Sequence, residues 1–132
     1  MSIPSAYQQM KTINPQMLAA YEAFAASCAA AGPLDAKTIA LVKLAVSIAA
    51  GLEGAAHSHA RKAVEAGCTR GELLHVANLT APTIGWPAMM RGREWVTDVT
   101  DAERASPGVP HSGGPAATPM MDITNVQRNS TP

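Results

Sequence analysis

Residues 51–73 encode two short helices joined by a capped break, and this segment restricts the fold more than any other. It reads G-L-E-G-A-A-H-S-H-A-R-K-A-V-E-A-G-C-T-R-G-E-L. Gly67 is suited to end the first helix. Thr69 and Glu72 have the T-x-x-E spacing of a capping box, in which a hydroxyl and a carboxylate each satisfy a free backbone N–H. Because His59 lies among alanines on the first helix, the segment predicts a compact helix pair that holds one imidazole.

Helix-start and helix-stop residues recur along the rest of the chain, and no segment alternates as a strand does. Asn14 with Pro15 and, later, Asp35 are suited to begin helices, while Gly32 with the following proline is suited to end one. The predicted helices cover about residues 15–31, 36–50, 53–66, 70–80 and 87–101, after a polar leader at residues 1–13. The first helix has a stripe predicted to be buried: Met17, Leu18, Tyr21, Phe24, Ala25 and Cys28.

The composition favours one soluble domain that assembles with copies of itself. Of 132 residues, 47% are hydrophobic, but only 4% are aromatic. Much of the hydrophobic fraction is alanine, so each helix buries little area at about 25 cal/mol per Å2. A formal net charge of zero gives no basic face for nucleic acid or an anionic membrane. We therefore expect a homo-oligomer, and neither nucleic acid nor a membrane as a partner.

Two cysteines, Cys28 and Cys68, lie too far apart in sequence to form a redox motif. Cys28 is expected to be buried on the apolar stripe, and Cys68 to be partly exposed in a turn. Since no paired spacing calls for an oxidising compartment, we expect a cytoplasmic location.

From residue 104 onward the chain is rich in Pro, Gly, Ser and Thr and has no periodicity. Such a segment has no core of its own. We therefore divide the chain into a helical domain at residues 1–103 and a tail at residues 104–132, and we expect the tail to dock on a neighbouring subunit.

Three segments give the chain a family resemblance from about Leu34 to Val99. They read L-D-A-K-T-I-A-L-V-K-L-A-V-S-I-A-A-G, E-G-A-A-H-S-H-A-R-K-A-V-E-A-G and G-E-L-L-H-V, and P-T-I-G-W-P follows them. In these segments the chain resembles the carboxymuconolactone decarboxylase and alkylhydroperoxidase-D-like superfamily. The resemblance implies an all-α, compact protomer of about five or six helices. It also implies assembly as a trimer or hexamer, with a site near a subunit contact.

The peroxidase branch of that superfamily uses a glutamate, a Cys-x-x-Cys pair and a histidine four residues after the second cysteine. When His59 and Gly67 are placed in register with that pattern, the cysteine positions fall on Leu52 and Ala55 and the glutamate position on Ala40. Peroxide reduction needs a reactive thiolate and a resolving thiol. We therefore expect no dithiol peroxidase activity.

His59 is the candidate catalytic residue, because an imidazole can transfer protons at neutral pH. The alternative is a core histidine with a backbone partner. Glu53 is the nearest carboxylate in sequence and could orient the imidazole, although the helix dipole alone explains a glutamate in a first turn. His57 points away from His59 on a helix, so the two cannot share an ion, and we expect no metal or cofactor. Ala55 and Ala56 are candidate substrate-binding positions beside the imidazole.

Three further residues are candidates for substrate binding. Trp86 could roof an apolar pocket, or it could anchor the core at a helix junction. Lys43, within an apolar helix, is either a snorkelling side chain or a charge directed at an anion. His75 could face the same cavity or a subunit contact.

These residues support three functional hypotheses. The first is a cofactor-free acid/base enzyme of the lyase type, which acts on a small cyclic or carboxylated molecule by lactone decarboxylation or isomerisation. The resemblance supplies that substrate class. The second is a non-catalytic oligomeric protein that binds a ligand or acts as a scaffold. The third is residual thiol chemistry at Cys68.

Overall fold

The structure, a computed structural model, describes residues 5–104, and this part of the chain is entirely helical with no strand. The helices are α1 (Ser5–Ile13), α2 (Pro15–Ala30), α3 (Ala36–Ala49), α4 (Glu53–Glu65), α5 (Arg70–Leu79), α6 (Ala81–Ile84) and α7 (Trp86–Arg104). The all-α fold class is confirmed, and the five predicted helices correspond to α2, α3, α4, α5 and α7. The predicted C-terminal tail lies outside the described residues.

Two helices were not predicted. The sequence predicts a polar leader without a helix at residues 1–13. This prediction is wrong for residues 5–13, which form α1 and pack against α2. Tyr7 donates a hydrogen bond from its hydroxyl to Glu22 of α2, and Lys11 lies 5.5 Å from the centroid of the Tyr7 ring. The predicted helices leave out residues 81–86, but within this stretch only Gly85, which takes a φ of 98°, lies outside a helix. The chain therefore forms the single turn of α6 and then resumes as α7.

Local capping contacts fix the starts of α3 and α5 as the sequence predicts, whereas Asn14 precedes α2 without a side-chain cap hydrogen bond. The Asp35 side chain accepts a hydrogen bond from the Thr38 N–H at 2.8 Å. At the start of α5, the Thr69 hydroxyl accepts from the Glu72 N–H at 3.1 Å, and the Glu72 carboxylate accepts from the Thr69 N–H at 2.7 Å. Both free N–H groups of the capping box are thus satisfied. Gly67 follows α4 with a φ of 92°, a left-handed conformation that favours glycine.

The core lies where α3, α4, α5 and α7 meet. Its largest fully buried side chains are Leu44, Ile48, Leu73, Val96 and Val99. The side of α4 that enters the core is made of alanines, Ala56, Ala60 and Ala63, and it packs against α3 and α7. Small side chains let these helices approach closely, as they also do where Gly92 of α7 lies against Ile48.

α2 remains on the outside of the protomer and has no buried residue. Met17, Tyr21 and Phe24 are exposed, so the prediction of a buried stripe is wrong for a single protomer. The cysteine expectations are also reversed, because Cys28 on α2 is exposed and Cys68 is buried. The apolar residues of α2 do lie on one side of the helix, as their spacing predicts, but burial depends on what covers that side.

Within residues 5–104, none of the helices combines the length and the apolar character needed to cross a bilayer.

Candidate functional site

His59 lines a cavity between the C-terminal half of α2 and the adjoining faces of α3 and α4. The cavity has a volume of about 650 Å3. Its walls are mainly aliphatic, and its polar side chains are His59, Lys43 and Lys62. The lining residues are Ala25, Ala26, Ala29, Ala30, Leu34, Ala36, Ile39, Ala40, Lys43, His59, Lys62 and Ala66.

Helical spacing explains why these side chains meet. On α4, His59, Lys62 and the following Ala66 recur at three- and four-residue intervals, so they share one side of the helix, next to the alanine side that enters the core. On α3, Ala36, Ala40 and Lys43 recur in the same way. The two helices therefore present the imidazole and both ammonium groups to one space.

His59 is held in its neutral form. Burial lowers the pKa of its imidazole, and the positive charges of Lys62 and Lys43 lower it further. Its Nδ1 atom is buried and has no hydrogen-bond partner among the described residues. A proton on Nδ1 would leave a buried N–H without an acceptor, so the neutral ring is expected to keep its proton on Nε2. Nε2 is then the ring nitrogen that can donate into the cavity.

Of the residues predicted for the site, Lys43 and His59 are brought together and the others are not among the lining residues of this cavity. Ala56 is 1% exposed and belongs to the core, and His75 is exposed on α5. Trp86 is 68% exposed, so its interpretation as a core anchor is wrong for the protomer, and it does not roof the cavity. Ala55 is partly buried outside the lining.

Glu53 lies with His57 rather than with His59. The ligating atoms of Glu53, His57 and Asp98 of α7 are all within 4.8 Å of one another. His57 Nε2 and Asp98 Oδ2 are 2.9 Å apart and form an ion pair when the ring is protonated. These are the side chains that could hold a metal ion in the described part of the chain, but they are at the surface and outside the cavity. Glu53 is therefore not placed to orient the His59 ring.

Sequence reasoning missed Lys62 and the alanine wall of α2. Lys62 lies three residues after His59 on α4, and this spacing alone puts both side chains on one side of the helix. Nothing in the sequence indicates that the alanines of α2 line a cavity, because this depends on how α2 lies across α3.

A second concave surface, here called the apolar groove, lies where α3, α5 and α6 meet and has a volume of about 450 Å3. Its lining residues are Leu41, Val42, Ala45, Val46, Ala49, Val76, Leu79, Thr80, Thr83 and Ile84. None of them is charged. It is therefore unlike the His59 cavity, because its lining within residues 5–104 offers no group for acid/base chemistry.

The comparison with family models agrees with the helical fold. The model of the carboxymuconolactone decarboxylase family matches residues 15–98. This range is more than half of the chain and contains all the residues that line the His59 cavity. No curated protein and no solved structure matches the chain. On the family match, the chain belongs to the carboxymuconolactone decarboxylase family.

Proposed function

We propose that this protein is an acid/base enzyme that acts on a small organic anion, with His59 as the catalytic residue. The observation that supports the proposal is the placement of one imidazole between two lysines in an otherwise aliphatic cavity. Lys43 and Lys62 attract a carboxylate, and the aliphatic walls accept a compact carbon skeleton. The family description points to a lactone carboxylate as the first substrate to test.

Lactone decarboxylation fits the groups in this cavity. When a ring carboxylate leaves as carbon dioxide, the electrons of the broken C–C bond stay on the ring and spread towards the lactone carbonyl oxygen. A proton must then be delivered to carbon. The Nε2–H of neutral His59 can donate a hydrogen bond that stabilises the developing negative charge, and solvent water supplies the proton to carbon, because a neutral imidazole is too weak an acid to give up its own. The two lysines favour the same charge electrostatically, and isomerisation through an enolate would use the same groups.

The test is turnover of carboxymuconolactone, followed as release of carbon dioxide. His59→Gln is expected to lower kcat by about 100-fold or more, the usual effect of removing a positioned donor to a developing negative charge. His57→Gln is the matched control, because it changes a histidine of the same helix outside the cavity, and it should retain wild-type turnover. Lys43→Gln should raise KM through the loss of a charge that binds the anion. Wild-type turnover in His59→Gln would contradict the proposal.

A non-catalytic ligand-binding protein is the second candidate. It predicts that the anion binds with no release of carbon dioxide. A His59 ring with both nitrogens hydrogen-bonded to the backbone would favour this function. The Nδ1 atom has no partner among the described residues, so the structure does not support it in this way.

Residual thiol chemistry has less support. Burial raises the pKa of the Cys68 thiol, which lowers the fraction of reactive thiolate. Neither cysteine lines the His59 cavity. We propose that the protein consumes no peroxide, and that it works in a reducing cytoplasm. Peroxide consumption that stops after alkylation would contradict this.

A further inference from the structure

The His59 cavity has a charged end and an aliphatic end. α3 and α4 pack against each other and are joined by residues 50–52, so the two helices run antiparallel. This arrangement puts Lys43 of α3 level with His59 of α4. It also puts Ala36, at the start of α3, level with Ala66, just after α4. At about 1.5 Å per residue, the two ends of the cavity are about 10 Å apart along α3.

The charged groups of the cavity gather at its His59 end. The positive charges of Lys43 and Lys62 both act on the imidazole of His59. The opposite end, here called the aliphatic end, has no charged residue among the described residues that line it. It is formed by Ala29, Ala30, Leu34, Ala36 and Ala66. Leu34 is 54% exposed, so a ligand that covers it would remove apolar surface from water.

The aliphatic end disfavours a negative charge. Asp35 begins α3 at this end, and its carboxylate already accepts a hydrogen bond from the Thr38 N–H at 2.8 Å. Lys37 is paired with the Glu72 carboxylate at 3.7 Å. α2 and α4 both end here, and the carbonyl groups at the end of a helix carry partial negative charge. An anion is therefore expected to bind at the His59 end and to direct its uncharged part along the cavity.

The cavity is larger than a single-ring anion needs. Its volume of about 650 Å3 lies within the range of roughly 300–1,000 Å3 that encloses drug-sized ligands. A compact anion held by Lys43 and His59 would leave the aliphatic end unfilled. An extended carbon chain advances about 1.2 Å per bond, as an extended backbone does over the three bonds of each residue. The length of about 10 Å therefore accommodates a chain of about eight carbons.

We propose that the substrate of this cavity is a carboxylate with a straight aliphatic chain of about eight carbons. Lys43 and His59 hold the carboxylate, and the chain runs past Ala40 to Leu34, opposite the alanine side of α2. This inference rests on the proposed function, which supplies the anion at His59, and it adds the shape of the rest of the molecule. The alanines of α2 then limit the chain length, because a larger side chain there fills the aliphatic end.

The first test is isothermal titration calorimetry of the full-length protein with straight-chain carboxylates from butanoate to decanoate. Burial of each additional methylene is expected to lower Kd about fourfold. This fall should continue to octanoate and then level off, because the chain has reached the end of the cavity. Equal Kd values for butanoate and octanoate would overturn the proposal. Tighter binding of succinate, a compact dicarboxylate, than of octanoate would also overturn it.

Two pairs of variants test where the two ends of the ligand lie. Ala29→Leu should leave butanoate binding unchanged and weaken octanoate binding at least about tenfold, because the larger side chain displaces about two methylenes. Ala23→Leu is the control, since it makes the same change on α2 outside the cavity lining. Lys43→Gln should weaken binding of every chain length about tenfold or more. Lys37→Gln is its control, because Lys37 is held by Glu72.

The apolar groove is the alternative place for a hydrocarbon chain, and a variant there separates the two sites. Leu79→Asp adds a negative charge to the groove lining and should leave the Kd of octanoate unchanged. Octanoate binding that is weakened by Leu79→Asp and not by Lys43→Gln would place the chain in the groove and overturn the proposal. Circular dichroism shows whether each variant remains helical, and the chain-length series of the wild-type protein tests the proposal without any variant.

The proposed function can fail independently of this inference. If carboxymuconolactone releases no carbon dioxide but Kd falls with chain length to octanoate, the proposed reaction is wrong and the ligand class stands. If the lactone turns over and His59→Gln abolishes turnover, but Kd does not depend on chain length, the reaction stands and the inference about the chain is overturned.

Discussion

At the scale of single residues, burial and then the charges of Lys62 and Lys43 lower the pKa of His59. Both ammonium groups disfavour a second proton on the ring, and none of the described residues that line the cavity is a carboxylate that would oppose them. The sign of the effect follows directly: burial and positive charge both lower the pKa, so the ring is neutral at pH 7. Lys43 and His59 were identified from sequence because they interrupt apolar or alanine-rich helix faces, whereas Lys62 looked like an ordinary surface lysine.

Removal of the Lys62 charge should raise the pKa of His59. In Lys62→Gln, the NMR titration midpoint of His59 is expected to move up towards the ordinary value of about 6.5. Lys37→Gln is the control, because Lys37 is paired with Glu72 on another side of α3 and does not contribute to the His59 shift. A midpoint that is the same in Lys62→Gln and in the wild-type protein would show that the ammonium group does not face the ring.

At the scale of elements, the contact between α3 and α7 depends on the absence of a side chain at Gly92. A Cβ at this position would lie 2.6 Å from Ile48 Cγ2 and 3.0 Å from its Cδ1. Ile48 is fully buried and has little room to move. Gly92→Ala is therefore expected to destabilise the protein by about 1–3 kcal/mol in chemical denaturation, despite the better helix propensity of alanine.

Gly54→Ala provides the matched control for that substitution. Gly54 also lies in a helix, but a Cβ there would meet no atom within 4 Å. Its free energy of unfolding should stay the same or rise by up to about 1 kcal/mol. Equal stability of Gly92→Ala and the wild-type protein would mean that α7 packs on α3 at a greater distance.

The capping box at the start of α5 gives a second test at this scale. Thr69→Ala removes the acceptor of the Glu72 N–H and should lower the free energy of unfolding by about 1 kcal/mol. Thr97→Ala removes a hydroxyl that bonds only to the Glu94 carbonyl within its own helix, and it should change stability by less than about 0.5 kcal/mol. A smaller loss in Thr69→Ala than in Thr97→Ala would argue against the cap.

Capping boxes and glycine stops are predictable from sequence because the residues that form them are neighbours. The burial of α2 was not predictable in the same way. Met17 and Phe24 have the right spacing for a buried side, but the sequence does not state which surface covers them. α1 was missed for a related reason, since it is held by contacts with α2 such as that of Tyr7 with Glu22.

At the scale of the whole molecule, the all-helical class is predictable from the residues that begin and end helices. The position of the cavity is not, because it depends on how the helices lie on one another. α2, α3 and α4 each supply part of the cavity wall. Glu53 shows that closeness in sequence does not predict contact. It is only six residues from His59, but its carboxylate lies beside His57 and Asp98. The proposed function requires that His59, and not another ionisable group, faces the bound anion.

The most direct measurement is an NMR spectrum that correlates the ring nitrogens and protons of the histidines at pH 7, recorded while carboxymuconolactone is added. We predict a neutral His59 ring with its proton on Nε2, and a shift of the Nε2–H signal on addition of the lactone that Lys43→Gln weakens. A doubly protonated His59 ring, or a His59 signal that stays in place while the lactone binds, would contradict the account.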